Sequence, residues 1–326
     1  MSARVRTCSL FLAMLASRGS ATAQPAGKCE GVVFSEPPAE SATVTVDRIE
    51  GQAMFAEVGG EHDLGGVNGA CVQLFDRRDK RLLIAGATED DGSFALPRPM
   101  PGAYVLTASL APFHDIVVPL QVPDVPAHDG GAGVFLHMRL KEDRRDSFVT
   151  LIHDLALRRE LLEMKRVDQD VRNELIRKGA DSPDPEAESR MAAIDARNIK
   201  RVQEIVGHGW PGADRVGIDG AEAAWLLVQH APHAIQEELF PLVEAAYHDG
   251  ALSGQSYALL LDRIRVGDGK PQVYGSQAKG FDQWKGHEPT LEPIEDEEHV
   301  DQRRAEVGLG TLTEYREFLK EMYFPK

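Results

Sequence analysis

The chain has 326 residues, 42% of them apolar, and a formal charge of −16 from 52 acids against 36 bases. A surface this acidic repels nucleic-acid backbones and anionic lipid, so neither is expected as a partner. The basic pairs do not offset it: Arg158-Arg159 alternates with acids, and Arg303-Arg304 follows the run Glu295-Asp296-Glu297-Glu298.

Residues 1–23 read as a secretory signal. Arg4 and Arg6 form a basic start, Cys8 to Ala16 an apolar core, and Ala21-Thr22-Ala23 a small-x-small cleavage site before Gln24. The apolar run is too short to span a bilayer, and no other segment approaches the length required. Cleavage removes Arg4, Arg6 and Arg18 and no acid, which takes the formal charge from −16 to −19. The mature chain is therefore expected to be exported, periplasmic or extracellular. Lys28 directly before Cys29 does not suit lipid attachment. Only Cys29 and Cys71 then remain. In an oxidising compartment an isolated pair closes into one disulfide, while the other reading keeps two thiols, with Cys71 a small core residue in a strand.

Roughly 300 mature residues suggest two domains, and the chain changes character near residue 141. Before it, short apolar runs recur at about ten-residue spacing with turn signals between them: Val72–Phe75, Leu82–Ala85, Tyr104–Ala108, Ile116–Leu120 and Val134–Met138. This pattern predicts an all-β sandwich over 31–140. Asp91-Gly92-Ser93-Phe94 followed by Pro101-Gly102-Ala103-Tyr104 resembles the carboxypeptidase-regulatory-like (transthyretin-like) fold, with its D-G-x-F turn and P-G-x-Y strand start. The resemblance implies an accessory domain, with Phe94 and Tyr104 pointing into one core. Asp90-Asp91 is read as turn chemistry rather than as a calcium loop, because no other oxygen ligands stand nearby.

From residue 141 to 326 the expectation is a mainly α-helical domain with a short hairpin and an acidic C-terminal arm. Phe148, Leu151, Ile152, Leu155, Leu162, Val167, Val171 and Leu175 fit one face of a long amphipathic helix, broken at Asp181-Ser182-Pro183-Asp184-Pro185. A second helix runs from about Glu186 to Val206 and stops at Gly207-His208-Gly209-Trp210-Pro211. A third starts at Asp219-Gly220-Ala221-Glu222 and continues to His230. A fourth covers 234–249 and a fifth runs from Ser253 to about Arg263. Ile264-Arg265-Val266 and Gln272-Val273-Tyr274, around Gly267-Asp268-Gly269-Lys270, are expected to form the hairpin. The acidic arm, Glu288 to Asp301, precedes small helices around Arg304 and Tyr315. The whole is an α+β multidomain chain.

The order of polar motifs in this second part is distinctive. Asp168-Gln169-x-x-Arg172, Asp195-x-x-Asn198, Gly209-Trp210-Pro211, Gln229-His230-Ala231, Asp262-Arg263 and Gln272-x-Tyr274-Gly275-Ser276-Gln277 follow one another, and Glu298-His299-Val300-Asp301 and Val307-Gly308-Leu309 close the series. Together they resemble a bacterial domain of unknown function, number 6624, over about 155–315. One position departs: an aspartate is expected after Gln229-His230-Ala231, and this chain has Pro232-His233. The resemblance implies no activity, so the chemistry is read from the residues.

His230 closes a nearly apolar helix, and its ordinary pKa makes it the strongest acid/base candidate. Asp262 or Asp168 is expected to orient it. Gln229, Arg263, Gln272, Tyr274, Gln277, Asp168 and Arg172 are expected to hold a polar small molecule, glycan or peptide. The other reading has the same groups lacing the helices together. No cofactor and no metal are expected. Pro232 interrupts the helix within His230-x-x-His233, and Gly267-x-Gly269-Lys270 lacks phosphate-loop spacing. Neither Ser253 nor Ser276 lies in a nucleophile elbow. An enzyme of hydrolase or lyase type and a non-catalytic envelope binding module both remain, and the sequence does not set the oligomeric state.

Overall fold

Alternating apolar residues separated by glycine turns produce strands in the computed structural model, which describes residues 29, 34–56, 63–178, 184–280 and 288–323. The signal segment expected at 1–23 and residues 181–183 of the expected helix break lie outside the described residues. The β-rich part contains β1 (Val44–Thr45), β2 (Glu50–Ala56), β3 (Asp63–Gly66), β4 (Cys71–Asp76), β5 (Leu82–Ala87), β6 (Ser93–Ala95), β7 (Gly102–Ser109), β8 (Ile116–Val122), β9 (Gly133–Met138) and β10 (Phe148–Ile152). One sheet runs β1-β8-β7-β4-β5, the other β10-β9-β2-β3 with β6 also on β2. Pairing is antiparallel except at β1–β8 and β2–β9.

Both sheets contribute to one apolar core. Val72, Leu74, Leu106 and Leu120 come from the first sheet, Val134, Leu136 and Met138 from the second, and Phe94 and Tyr104 join the same cluster. The Asp91-Gly92 turn is built as its sequence requires. Asp91 Oδ1 accepts from the Ser93 amide at 2.8 Å. Gly92 has φ +79°, and a Cβ there would stand 2.1 Å from the Ala53 carbonyl oxygen. Only glycine fits this turn. Cys29 and Cys71 are joined by a disulfide, their Cα atoms 5.5 Å apart.

The helical part contains α1 (Leu155–Lys178), α2 (Pro185–Val206), α3 (Ala213–Gln229), α4 (His233–His248), α5 (Gly254–Gly267), α6 (Val300–Glu306) and α7 (Leu312–Tyr323). Helix α3 breaks at Gly217, whose φ is +76°. The ends follow local chemistry: Asp184 accepts from the Ala187 amide to start α2, and Ser253 accepts from the Ser256 amide to start α5. No helix among the described residues is long and apolar enough to cross a membrane.

Strands β1, β2, β3 and β6 add to the five runs read from the sequence, and two expected elements are replaced. Phe148–Ile152 forms strand β10, paired antiparallel with β9 from Phe148↔His137 to Ile152↔Gly133, instead of opening the long helix. A five-residue run with two-residue alternation satisfies both periods, and pairing to β9 decides for the strand. Ile264-Arg265-Val266 continues α5 to Gly267, so the expected hairpin does not form. Gln272 and Ala278 instead bridge to Ile294 and Leu291 of the acidic arm. The chain divides into two compact units: one takes Arg18–Leu162 with Gly212–Gly220, the other Glu163–Pro211 with Ala221–Lys326.

Inside the first unit the segment before Ala221 is tied by charge. Arg158 donates from Nη2 to Asp219 Oδ2 at 2.7 Å and from Nε to Oδ1 at 3.1 Å, both side chains buried. Asp219, expected as the cap that starts the third helix, instead lies inside α3, which starts at Ala213, and holds a buried ion pair.

Candidate functional site

The polar centre of the helical unit begins on α1, where Asp168 and Arg172 stand one turn apart. Arg172 Nη1 donates to Asp168 Oδ1 at 2.8 Å, and the two side chains are only 2% and 1% exposed. The other guanidinium nitrogen, Nη2, donates to Asp195 Oδ1 on α2 at 2.8 Å. Gln169 Nε2 donates to Asp168 Oδ2 at 2.8 Å. A buried carboxylate is costly unless its lone pairs are filled, and Asp168 fills them with charge-assisted donors.

The last of these donors is His230, which directly follows α3. Its Nδ1 lies 2.8 Å from Asp168 Oδ2, and its side chain is 2% exposed. The carboxylate accepts, so Nδ1 carries a proton, and in the neutral ring that burial favours Nε2 presents a lone pair. Burial pulls the imidazole pKa below its ordinary value. The Asp168 hydrogen bond and charge oppose that, and the charges of Arg172 and Arg263 reinforce it. Nε2 has no hydrogen-bond partner among the described residues. The same holds for both amide atoms of Gln229 and of Asn198, which are fully buried or nearly so.

A second polar cluster serves a different purpose. Asp262 on α5 is fully buried and accepts from the backbone amides of Val273 (2.6 Å), Tyr274 (3.0 Å) and Ser276 (2.9 Å). Burial raises its pKa, against which the three amides act. Gln272 is equally committed: Oε1 accepts from the Gln277 amide, and Nε2 donates to the carbonyls of Gln277 and Glu292. Gln277 Nε2 reaches Ser276 Oγ at 2.9 Å. From outside the loop, Arg303 Nε and Arg304 Nη1 bond the carbonyls of Val273 and Tyr274, and the Tyr315 hydroxyl donates to that of Ser276. Gly275 allows the loop its turn, with φ +67°.

This geometry sorts the sequence candidates. Asp168, Arg172 and His230 come together, and Arg263 acts on the imidazole through its charge. Asp262 holds the 272–277 loop with its carboxylate, so orientation of His230 falls to Asp168. Gln272 spends its amide on backbone groups and Gln277 spends its own on the Ser276 hydroxyl, because buried polar groups of the loop must be satisfied within the fold. Tyr274 is half-buried, its phenol pKa raised by burial and by the nearby Tyr247 and Asp262. Tyr247 stacks on Tyr257 with ring centroids 4.6 Å apart. His230 and His233 turn to different carboxylates, His233 Nε2 lying 2.9 Å from Asp268 Oδ1. Glu237 completes an exposed His233–Glu237–Asp268 group, in which Lys270 also occupies Asp268 at 2.9 Å.

Asp195 was not among the expected site residues. Its signal was present, since an acid on the inner face of a second amphipathic helix has to meet a cation. His230 lines neither of two open grooves. One, of about 430 Å³, runs between α1 and α2 past Val171, Glu174, Arg190 and Ile194. The other follows Glu288–Ile294.

A helical unit built around a buried carboxylate–histidine pair thus follows a two-sheet β-rich unit. The chain belongs to a family of unknown function, DUF6624, whose match covers residues 155–326. No curated protein and no solved structure matches the chain.

Proposed function

We propose that the helical unit carries an acid/base site in which His230 Nε2 exchanges protons with a polar substrate and Asp168 holds the imidazole in its working tautomer. The chemistry is of hydrolase or lyase type. The observation that carries this reading is the unpartnered, buried Nε2 opposite a fully engaged Nδ1. A buried polar nitrogen without a partner costs about 1–3 kcal/mol. A fold that retains one while committing three donors to the neighbouring carboxylate has kept that lone pair for use. Because His230 is covered, substrate reaches it only after local opening.

The N-terminal β-rich unit is read as a carboxypeptidase-regulatory-like accessory domain, and the whole as a periplasmic or extracellular protein of the cell envelope. The signal-like start and the Cys29–Cys71 disulfide support export.

A second reading, a non-catalytic interaction module, draws on one observation. Asp262, Gln272 and Gln277 spend their hydrogen bonds inside the fold. Screening purified protein against envelope glycans and peptides, wild type beside His230→Gln, separates the two. Loss of turnover with binding retained supports the acid/base site, and full activity of the variant excludes it.

A further inference from the structure

We infer that Asn198 is the ligand-orienting partner of His230, and that the two together receive a neutral amide group. The inference rests on the acid/base reading of His230 and names the chemistry of what that site takes.

Position comes first. Two ion pairs between α1 and α2 run in opposite directions along the helices: Glu174 meets Arg190 at 2.6 Å, and Arg172 meets Asp195 at 2.8 Å. The helices are therefore antiparallel. One turn past Asp195 on the same face of α2 is Asn198. One turn before Arg172 on α1 is Asp168, the residue that holds His230. Asn198 is thus placed level with the Asp168–His230 pair.

Next comes unmet hydrogen bonding. Asn198 is 2% exposed, and neither its Oδ1 nor its Nδ2 has a partner among the described residues. Its donor, its acceptor and the His230 Nε2 lone pair make a complementary set. A secondary amide meets two of these three groups, its N–H donating to Nε2 and its carbonyl accepting from Asn198 Nδ2. Gln229, whose amide is also unpartnered, lies about a hundred degrees round α3 from its neighbour and serves a different wall.

Charge then selects a neutral ligand. Arg172 pairs with both Asp168 and Asp195, and the charge of Arg263 acts on an imidazole whose neutral form burial favours. A carboxylate or ammonium brought to this depth would be uncompensated, and a neutral amide is not.

Nitrogen-15 spectra of the His230 side chain in the full chain test this, with N-methylacetamide as probe and acetate as its charged control. The amide is expected to move the Nε2 resonance and acetate to leave it in place. N-acetylglucosamine and N-acetylalanine methylamide then tell an acetylated sugar from a peptide as the source. The variant Asn198→Leu is expected to lose the amide response while melting at the same or a higher temperature than wild type, because it removes a buried amide that nothing in the fold satisfies. A melting temperature several degrees lower would make Asn198 a structural residue and overturn the inference. So would an undiminished amide response in Asn198→Leu or in the smaller Asn198→Ala, or an equal response to acetate. None of these readings depends on turnover, so loss of the acid/base reading through His230→Gln is a separate result.

Discussion

Asp168 Oδ2 sits 2.8 Å from His230 Nδ1, while its other oxygen sits 2.8 Å from Arg172 Nη1. One carboxylate therefore fixes a histidine tautomer and neutralises a buried guanidinium together. Removing it by Asp168→Ala strands Arg172 with only Asp195, and the expected cost is about 3–5 kcal/mol of stability. Replacing both partners, with Asp168→Leu and Arg172→Met, is expected to cost less than the two single changes added. A double-mutant cycle by chemical denaturation measures the difference, and simple additivity would show that the pair is not coupled.

The His230 environment gives a pH dependence of definite sign. Burial depresses the folded-state pKa below the unfolded value of about 6.5. The unfolded chain therefore binds the extra proton first. Stability from this group is complete above about pH 6.5 and is lost as pH falls from there towards the folded pKa. His230→Gln is expected to flatten that part of the stability–pH curve. Thermal melts of both proteins across pH 5–8 check it, and parallel curves would mean that His230 does not supply the slope.

Cys29 and Cys71 are bonded in the structure, closing a loop of sequence separation 42. Removing such a crosslink costs typically about 2–4 kcal/mol. Cys71→Ser in protein produced in an oxidising compartment is expected to lower the melting temperature of the β-rich unit. Intact mass under non-reducing conditions is expected to be two hydrogens lighter than after reduction. Two freely alkylated thiols in the native chain, purified from an oxidising compartment, would contradict the bond.

Five strands, β4, β5, β7, β8 and β9, were legible because each holds a short apolar run bounded by turn residues, whereas β1, β2, β3 and β6 carried no such run. Strand β10 was not legible either, because Phe148, Leu151, Ile152 and Leu155 satisfy a helical spacing as well. Its identity comes from pairing with β9, a contact between segments that no local pattern encodes. The same distinction runs through the site. Asp168 and Arg172 were readable as an i,i+4 pair beside an apolar stripe. Asp195 as the second partner of Arg172, and the capture of Asp262 by three loop amides, depend on how helices and loop meet. Sequence order alone cannot distinguish a carboxylate facing an imidazole from one facing backbone.

Asp262 offers a test that keeps loop architecture apart from site chemistry. Its carboxylate accepts from the amides of Val273, Tyr274 and Ser276. Asp262→Ala leaves these donors without their acceptor, at about 1–3 kcal/mol for each one that stays buried. Asp262→Asn is expected to be only partly better, because its NH2 group turns a donor towards amides that also donate. Both variants are expected to loosen residues 272–277, seen as faster amide hydrogen exchange in that loop. Neither is expected to alter the His230 tautomer, which depends on Asp168, whereas Asp168→Asn is expected to change it. The side-chain nitrogen-15 spectrum of His230 reads this directly. A changed tautomer in Asp262→Asn with the Asp168 contact intact would show that the loop and the dyad form a single site, and Asp262 would then regain a place in the chemistry.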